Sequence, residues 1–221
     1  MKFRILSCIG SLAVALSASP AMAQGVSAPV VDLAYGGLVI GSASVKNTGP
    51  FLGGEAGVRV WKNLDVSLEG GSFDDVVTQR QLDVALPLVT FLEQTQGKDA
   101  SINVKMPATY FGVGARWVFE DRVIAGWVRP YVSFAVGGAR VKREPTFLLA
   151  GADITSAINS YGVTVGKDLT EQERGAAVSF GVGVLVPWRY LYVDVGYRRT
   201  SLSLRETIGV NRFNLGLGVR F

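Results

Sequence analysis

The 221-residue chain contains no histidine and a single cysteine, and both scarcities exclude chemistry. Without histidine there is no serine–histidine or cysteine–histidine nucleophile pair, and the commonest metal ligand is missing. Cys8 has no partner for an internal disulfide, so covalent cross-links cannot hold this fold together. Past the N-terminal segment no apolar run approaches the ~20 residues that a membrane-spanning helix needs. The adjacent carboxylates Asp74 and Asp75 close an alternating segment, where neighbouring side chains point to opposite faces. They read as a solvated loop base rather than as an acid–base pair. The sequence therefore predicts no catalytic residues, no cofactor site and no metal site, and the protein reads as no enzyme.

What is present begins with an export signal. Lys2 and Arg4 precede an apolar run from Ile5 to Ala18, and Pro20-Ala21-Met22-Ala23 supplies small residues before Gln24. This is the secretory pattern, with an apolar segment too short to span a bilayer. It predicts a cleaved peptide over 1–23 and a mature domain over 24–221. Cys8 falls inside the removed part, so the mature chain is expected to contain no cysteine at all. The composition is 48% hydrophobic with 27 glycines, and the net charge is +4. That charge is too modest to invoke nucleic acid, which export disfavours in any case. An exported chain this apolar, with no spanning helix, suggests apolar residues spaced one by one along strands. A closed barrel is the other structure that satisfies every backbone group within lipid.

Period-two alternation carries that reading. Phe213, Leu215, Leu217, Val219 and Phe221 share one face against Asn214, Gly216, Gly218 and Arg220. Leu191, Val193, Val195 and Tyr197 oppose Tyr192, Asp194, Gly196 and Arg198, and similar sets run through 108–119 and 176–187. Segments near 31–45, 51–61, 64–75, 108–119, 127–142, 176–187, 190–203 and 210–221 predict an all-β fold: an antiparallel, up-and-down transmembrane β-barrel of about eight strands. The connections at Lys62-Asn63, Glu120 to Gly126 and Pro187-Trp188-Arg189 are short, as are 46–50 and 204–209, whereas 76–107 and 143–175 are long. Outer-membrane barrels place short turns in the periplasm and longer loops outside. The aromatic residues agree with that orientation. Trp61, Trp117, Trp127, Trp188 and Tyr190 gather at the short turns, with Phe221 at the same level, and read as a periplasmic girdle.

The opposite face is charged and glycine-rich. Phe111-Gly112-Val113-Gly114, Phe180-Gly181-Val182-Gly183 and Leu215-Gly216-Leu217-Gly218 place glycine inward, where a narrow barrel must mix small and large side chains. These stretches lie within strands and precede no helix, which argues against a phosphate-binding loop. The inward set includes Glu55, Arg59, Asp65, Glu69, Arg116, Arg129, Tyr131, Tyr192, Asp194, Arg198 and Arg220. Arginine–carboxylate pairs across so tight a lumen predict a bidentate network and a plugged or very narrow bore. Two features lie at the outer end. Arg140, Lys142, Arg143, Arg198, Arg199 and Arg205 cluster there and could hold lipopolysaccharide phosphates, or form an ordinary solvated rim. Val84 to Leu92 is an apolar stretch that could meet a partner, cap the mouth, admit an apolar solute, or simply pack on itself.

Over about residues 28–221 the chain resembles the small outer-membrane barrels of the OmpA-like and opacity-type porin superfamily. The terminal pattern Phe213, Leu215, Leu217, Val219, Phe221 looks like the C-terminal signal read by the barrel-assembly machinery. The resemblance implies insertion by that machinery into the outer membrane of a Gram-negative bacterium, among lipid and lipopolysaccharide. It also implies either a structural or surface-interaction role, with 76–107 and 143–175 as contact region for an extracellular ligand, or a narrow OmpW-like channel for small, possibly apolar, solutes.

Overall fold

A computed structural model describes residues 34–120, 122–125, 127–166 and 171–221. Lys2, Arg4, Cys8, the cleavage site before Gln24 and the start of the first predicted segment at 31–33 lie outside the described residues. Eleven strands follow: β1 (Ala34–Ser44), β2 (Thr48–Trp61), β3 (Leu64–Phe73), β4 (Ala100–Lys105), β5 (Ala108–Val118), β6 (Arg129–Val141), β7 (Glu144–Leu149), β8 (Ala152–Asp153), β9 (Glu173–Trp188), β10 (Leu191–Ser203) and β11 (Thr207–Arg220). One α-helix, α1 (Gln79–Gln96), and a 3-10 helix (Thr155–Tyr161) lie between them. No described helix is long and apolar enough to cross a membrane.

Eight of the strands, β1, β2, β3, β5, β6, β9, β10 and β11, close into one antiparallel barrel in which each pairs with the next and β11 returns to β1. Closure leaves no unpaired edge, so every strand's backbone groups are satisfied within the sheet. The eight segments read from the alternation are these eight strands. β2, β9 and β11 each begin three residues earlier than predicted, at Thr48, Glu173 and Thr207. The apolar face of each strand points away from the bore: Leu38, Leu52, Phe111, Phe180, Phe213 and Leu217 are all more than half exposed. So continuous an apolar surface is untenable in water and is the expected lipid face of a spanning barrel. Trp61, Trp117, Trp127, Trp188 and Tyr190 stand exposed around the short-turn end.

Inside, large side chains lie flat across glycine. A β-carbon on Gly57 would come within 2.6 Å of the Tyr35 ring, and one on Gly183 within 2.6 Å of the Tyr131 hydroxyl. Glycine on this face is thus a slot for an aromatic ring, which is how a narrow bore accommodates both.

The two long connections fold together rather than hanging free. β4 from the first pairs with β7 from the second, and β8 completes a three-stranded sheet. α1 holds the whole apolar stretch Val84 to Leu92, with Gln81, Ala85 and Leu92 on its buried face and Gly97 capping it in the left-handed region at φ 59°. Leu92, Phe147, Leu149, Ile154, Ile158 and Val163 form the core of this outer layer. A second apolar cluster joins it to the barrel mouth, where Val76, Val77, Ala85 and Met106 pack with Phe51, Phe73, Tyr110, Leu202, Ile208 and Val210. The stretch is therefore partly self-packed and partly a cap, through Ala85. Val84, Leu86 and Phe91 remain exposed on the flanks of α1.

Candidate functional site

The barrel interior changes character along its length. At the short-turn end a cavity of about 50 Å³ is bounded by Tyr35, Arg59, Arg116, Arg129, Tyr192 and Arg220. Arg59 donates from Nε to Asp65 at 2.8 Å and pairs with Glu120 at 2.6 Å. Arg129 approaches Glu120 at 3.9 Å, and Arg220 donates to the carbonyl oxygen of Arg189 at 3.0 Å. These two arginines sit at the mouth and are not drawn into the central cluster.

That cluster fills the middle of the bore. Arg116, on β5, lies among Glu55 at 3.1 Å, Asp65 at 3.5 Å and Asp194 at 3.9 Å, with its guanidinium 4.0 Å from the centre of the Tyr35 ring. Arg198, on β10, reaches across the lumen and divides its two terminal nitrogens between Glu55 and Glu69. Tyr35 donates its hydroxyl to Glu55 and Tyr131 donates to Asp194, each at 2.8 Å. The charges therefore form a branched chain. The expected bidentate forks are replaced by arginines that each serve two or three acids: Glu55 and Glu69 lie directly opposite on paired β2 and β3 and share Arg198, while Arg116 meets Glu55, Asp65 and, from β10, Asp194. Glu55, Asp65, Glu69, Arg116, Asp194 and Arg198 are all buried. In so dry a space, removing one member strands a charge, which makes the arrangement costly to disturb.

Arg212 completes the cluster and was not among the residues picked from the sequence. It is 1% exposed, lies 3.4 Å from Glu69, donates to Tyr110 and packs over the Phe51 ring at 4.6 Å. The signal was present: alternation from Phe213 puts Arg212 on the face already assigned to Asn214 and Arg220. Around this point the residual cavity is about 10 Å³, at most one water. Above it the bore is filled by Phe51, Phe73 and Tyr110, with ring centres 5.1 Å and 5.5 Å apart.

The outer-end cations separate into three groups. Arg198 turns into the lumen. Arg143 is also withdrawn: it is 5% exposed and pairs with Glu173 at 2.8 Å, because it continues the inward phase of Val141. Its assignment to a lipid-contacting rim is corrected accordingly. Lys142 pairs with Glu144 at 2.7 Å, and Arg205 pairs with Glu171 at 2.9 Å and Glu173 at 3.1 Å. Arg140 and Arg199 stand exposed on the outer wall. Asp74 and Asp75 serve the loop base. Asp74 pairs with Lys105 at 2.8 Å, while Asp75 accepts from the backbone of Val77 and Met106. The Asp74 hydrogen bond holds Lys105 above the usual lysine range. No group of acids or other ligands suited to a metal ion occurs among the described residues.

A closed, up-and-down sheet with an apolar exterior, aromatic residues at one rim and ionised groups inside defines a transmembrane β-barrel. The family model for the outer membrane protein beta-barrel domain matches residues 9–221, and the chain belongs to that family and hence to the bacterial outer membrane. Neisserial surface protein A resembles it at 13% identity with a TM-score of 0.53, covering 85% of this chain and 96% of that one. The N-terminal barrel of Pseudomonas aeruginosa OprF is also 13% identical, with a TM-score of 0.49 over 85% and 97% of the two chains. Ail of Yersinia pestis, solved with the heparin analogue sucrose octasulfate, gives 13% and 0.45 over 86% and 97%. At this identity the likeness is one of fold. No protein of curated function matches the chain by sequence.

Proposed function

We propose that the protein is a non-enzymatic outer-membrane barrel with a sealed lumen, acting in surface interaction or envelope structure through the layer built from its two long connections. The observation that carries this reading is Arg198, which crosses the bore from β10 to Glu55 and Glu69, cross-strand neighbours on β2 and β3, while Arg116 pairs with Glu55 and Arg212 with Glu69. Ions passing this level would have to displace ion pairs that are worth most where water is absent. The sheet β4–β7–β8 with α1 then offers a folded external surface over residues 76–107 and 143–175 to an extracellular ligand. The short turns face the periplasm in this reading, and lipopolysaccharide surrounds the opposite end. Phe213, Leu215, Leu217, Val219 and Phe221 present the terminal strand to the barrel-assembly machinery.

Conductance of the refolded mature chain in a planar bilayer tests the seal, with folding established by the heat-dependent gel shift of a barrel. Folded protein that stays silent agrees with the proposal, and Glu69→Ala is expected to introduce openings. Discrete openings of the unaltered protein would overturn the seal. They would favour the second reading, a narrow channel for small apolar solutes, whose support is the exposed apolar flank of α1 at Val84, Leu86 and Phe91.

A further inference from the structure

The outward faces of the eight barrel strands carry very few charges. Following each strand's alternation, the outward-facing charged groups are Arg140 on β6, Arg174 on β9 and Arg199 on β10. No outward acid occurs on any barrel strand. These strands are adjacent in the barrel, so the cations occupy one sector and leave the remaining circumference uncharged.

Their placement is unfavourable in isolation. Arg140 and Arg174 stand directly opposite each other on paired strands, and like charges in that relation destabilise a sheet. Among the described residues the nearby acids are engaged elsewhere, Glu144 by Lys142 and Glu171 and Glu173 by Arg205 and Arg143. Arg140 donates to the neutral amide oxygen of Gln172. No carboxylate pairs with Arg140, Arg174 or Arg199 among the described residues. Arg199 lies lower, in register with Phe180, and Phe180 is six residues or about 20 Å along β9 from Arg174. Its side chain climbs: Nη2 lies 3.5 Å from where a β-carbon on Gly209 would sit, beside Ser201. A long cationic side chain buried on its stem and rising toward the headgroup level behaves in this way.

The surface between these cations is low. Gly138, Ala176 and Ser203 form one cross-strand row, and Val136, Val178 and Ser201 the next. Below, a groove of about 570 Å³ runs obliquely between two further rows, Trp117–Val132–Val182–Tyr197 and Ala115–Phe134–Phe180–Arg199. Its lining is mostly apolar, with Ser133, Tyr197 and Arg199 as the polar members.

We propose that this sector is a binding site for one phosphorylated glycolipid of the outer leaflet, the lipid A portion of lipopolysaccharide. Arg140 and Arg174 take one phosphate and Arg199 takes a second. The sugar lies over the small residues between them, and an acyl chain occupies the groove. A phosphate between Arg140 and Arg174 turns their repulsion into two charge-assisted contacts. The spread of cations across a flat floor fits a wide, doubly phosphorylated sugar better than a glycerol phosphate. The inference rests on the outer-membrane placement and narrows the lipid contact suggested by the sequence to a defined site.

Native mass spectrometry of the folded, full mature protein in detergent tests it, with diphosphorylated lipid A and phosphatidylglycerol offered separately. The triple variant Arg140→Gln/Arg174→Gln/Arg199→Gln is expected to bind lipid A at least tenfold more weakly. Lys46→Gln/Arg80→Gln/Lys98→Gln, which removes the same charge elsewhere, is expected to bind as the unaltered protein does. Ala115→Trp, which fills the groove, should weaken lipid A binding severalfold. Each variant is checked by the heat-dependent gel shift, and the exchanged arginines are exposed, so folding is retained. Undiminished lipid A binding by the first triple variant would overturn the site. Equal binding of phosphatidylglycerol by the unaltered protein would overturn the glycolipid assignment. An Ala115→Trp protein that binds normally would remove the acyl groove. These readouts do not depend on conductance, so a leaky barrel that still selects lipid A would refute the seal and leave this site standing.

Discussion

From its short-turn end to its middle the bore is filled by ions, in a chain that runs from Glu120 through Arg59, Asp65, Arg116, Glu55 and Arg198 to Glu69 and Arg212. From the middle to the long-loop end it is filled by Phe51, Phe73, Tyr110, Leu202 and Val210, with Val76, Val77 and Met106 supplied from outside the strands. Apart from Glu120 in the β5–β6 turn, the ionic half is made by inward side chains of the barrel strands. Part of the apolar half belongs to the connections around α1 and β4, so its packing depends on how those connections fold. One bore therefore carries two fillings, one ionic and one apolar, and the two should respond differently to mutation.

The largest effect is expected from Glu69→Ala. It leaves Arg198 and Arg212 without a shared carboxylate, and breaking a buried pair typically costs about 3–5 kcal/mol. Denaturant unfolding in lipid vesicles measures this. Adding Arg198→Ala to Glu69→Ala should cost much less than the two single losses together, because they share one interaction. Phe73→Ala, in the apolar half, is expected to cost about 3 kcal/mol through lost burial and a cavity. Its loss should add to that of Glu69→Ala apart from a small coupling through Arg212, which meets both side chains, and full coupling would erase the distinction between the halves. Gly57→Ala probes the ring slot. A β-carbon 2.6 Å from a Tyr35 ring already tied to Glu55 and Arg116 should cost about 1–3 kcal/mol. The smallest effect is expected at Asp74→Asn on the loop base, less than about 0.5 kcal/mol, since the Lys105 pair is exposed and screened. Lys105 is raised by Asp74, so what the pair contributes is present at neutral pH and disappears as pH rises through the raised lysine value.

The barrel was legible because lipid outside and ions inside force alternation on every strand, and the phase persists for ten or more residues. Arg212 and Arg143 follow that phase as well, and extending it by two residues past Val141 would have turned Arg143 inward. The outer layer was much harder to read. α1 has no acidic residue in its first turn, no side-chain cap at Thr78, and Pro87 in its interior, so the usual helix signals are missing. Ile102, Val104 and Met106 do alternate with Ser101, Asn103 and Lys105. Their partner strand β7, however, lies in the other long connection, and no local pattern announces a pairing at that separation. The cationic sector on the outer wall needed the register itself, because only the pairing of β6 with β9 sets Arg140 against Arg174.

The seam where β11 meets β1 has a consequence for biogenesis. The two strands are hydrogen-bonded from Tyr35 opposite Arg220 to Ser44 opposite Asn211, so the first barrel strand out of the ribosome waits for the last. Pairing at such sequence separation is the slowest class of contact to form, since loop-closure entropy is spent before any contact repays it. Until that seam zips, β1 and β11 are bare edges able to pair with other chains. Transit across the periplasm is thus a period of aggregation risk, and a chaperone that shields those two strands would protect the molecule more than one that binds any other part of it.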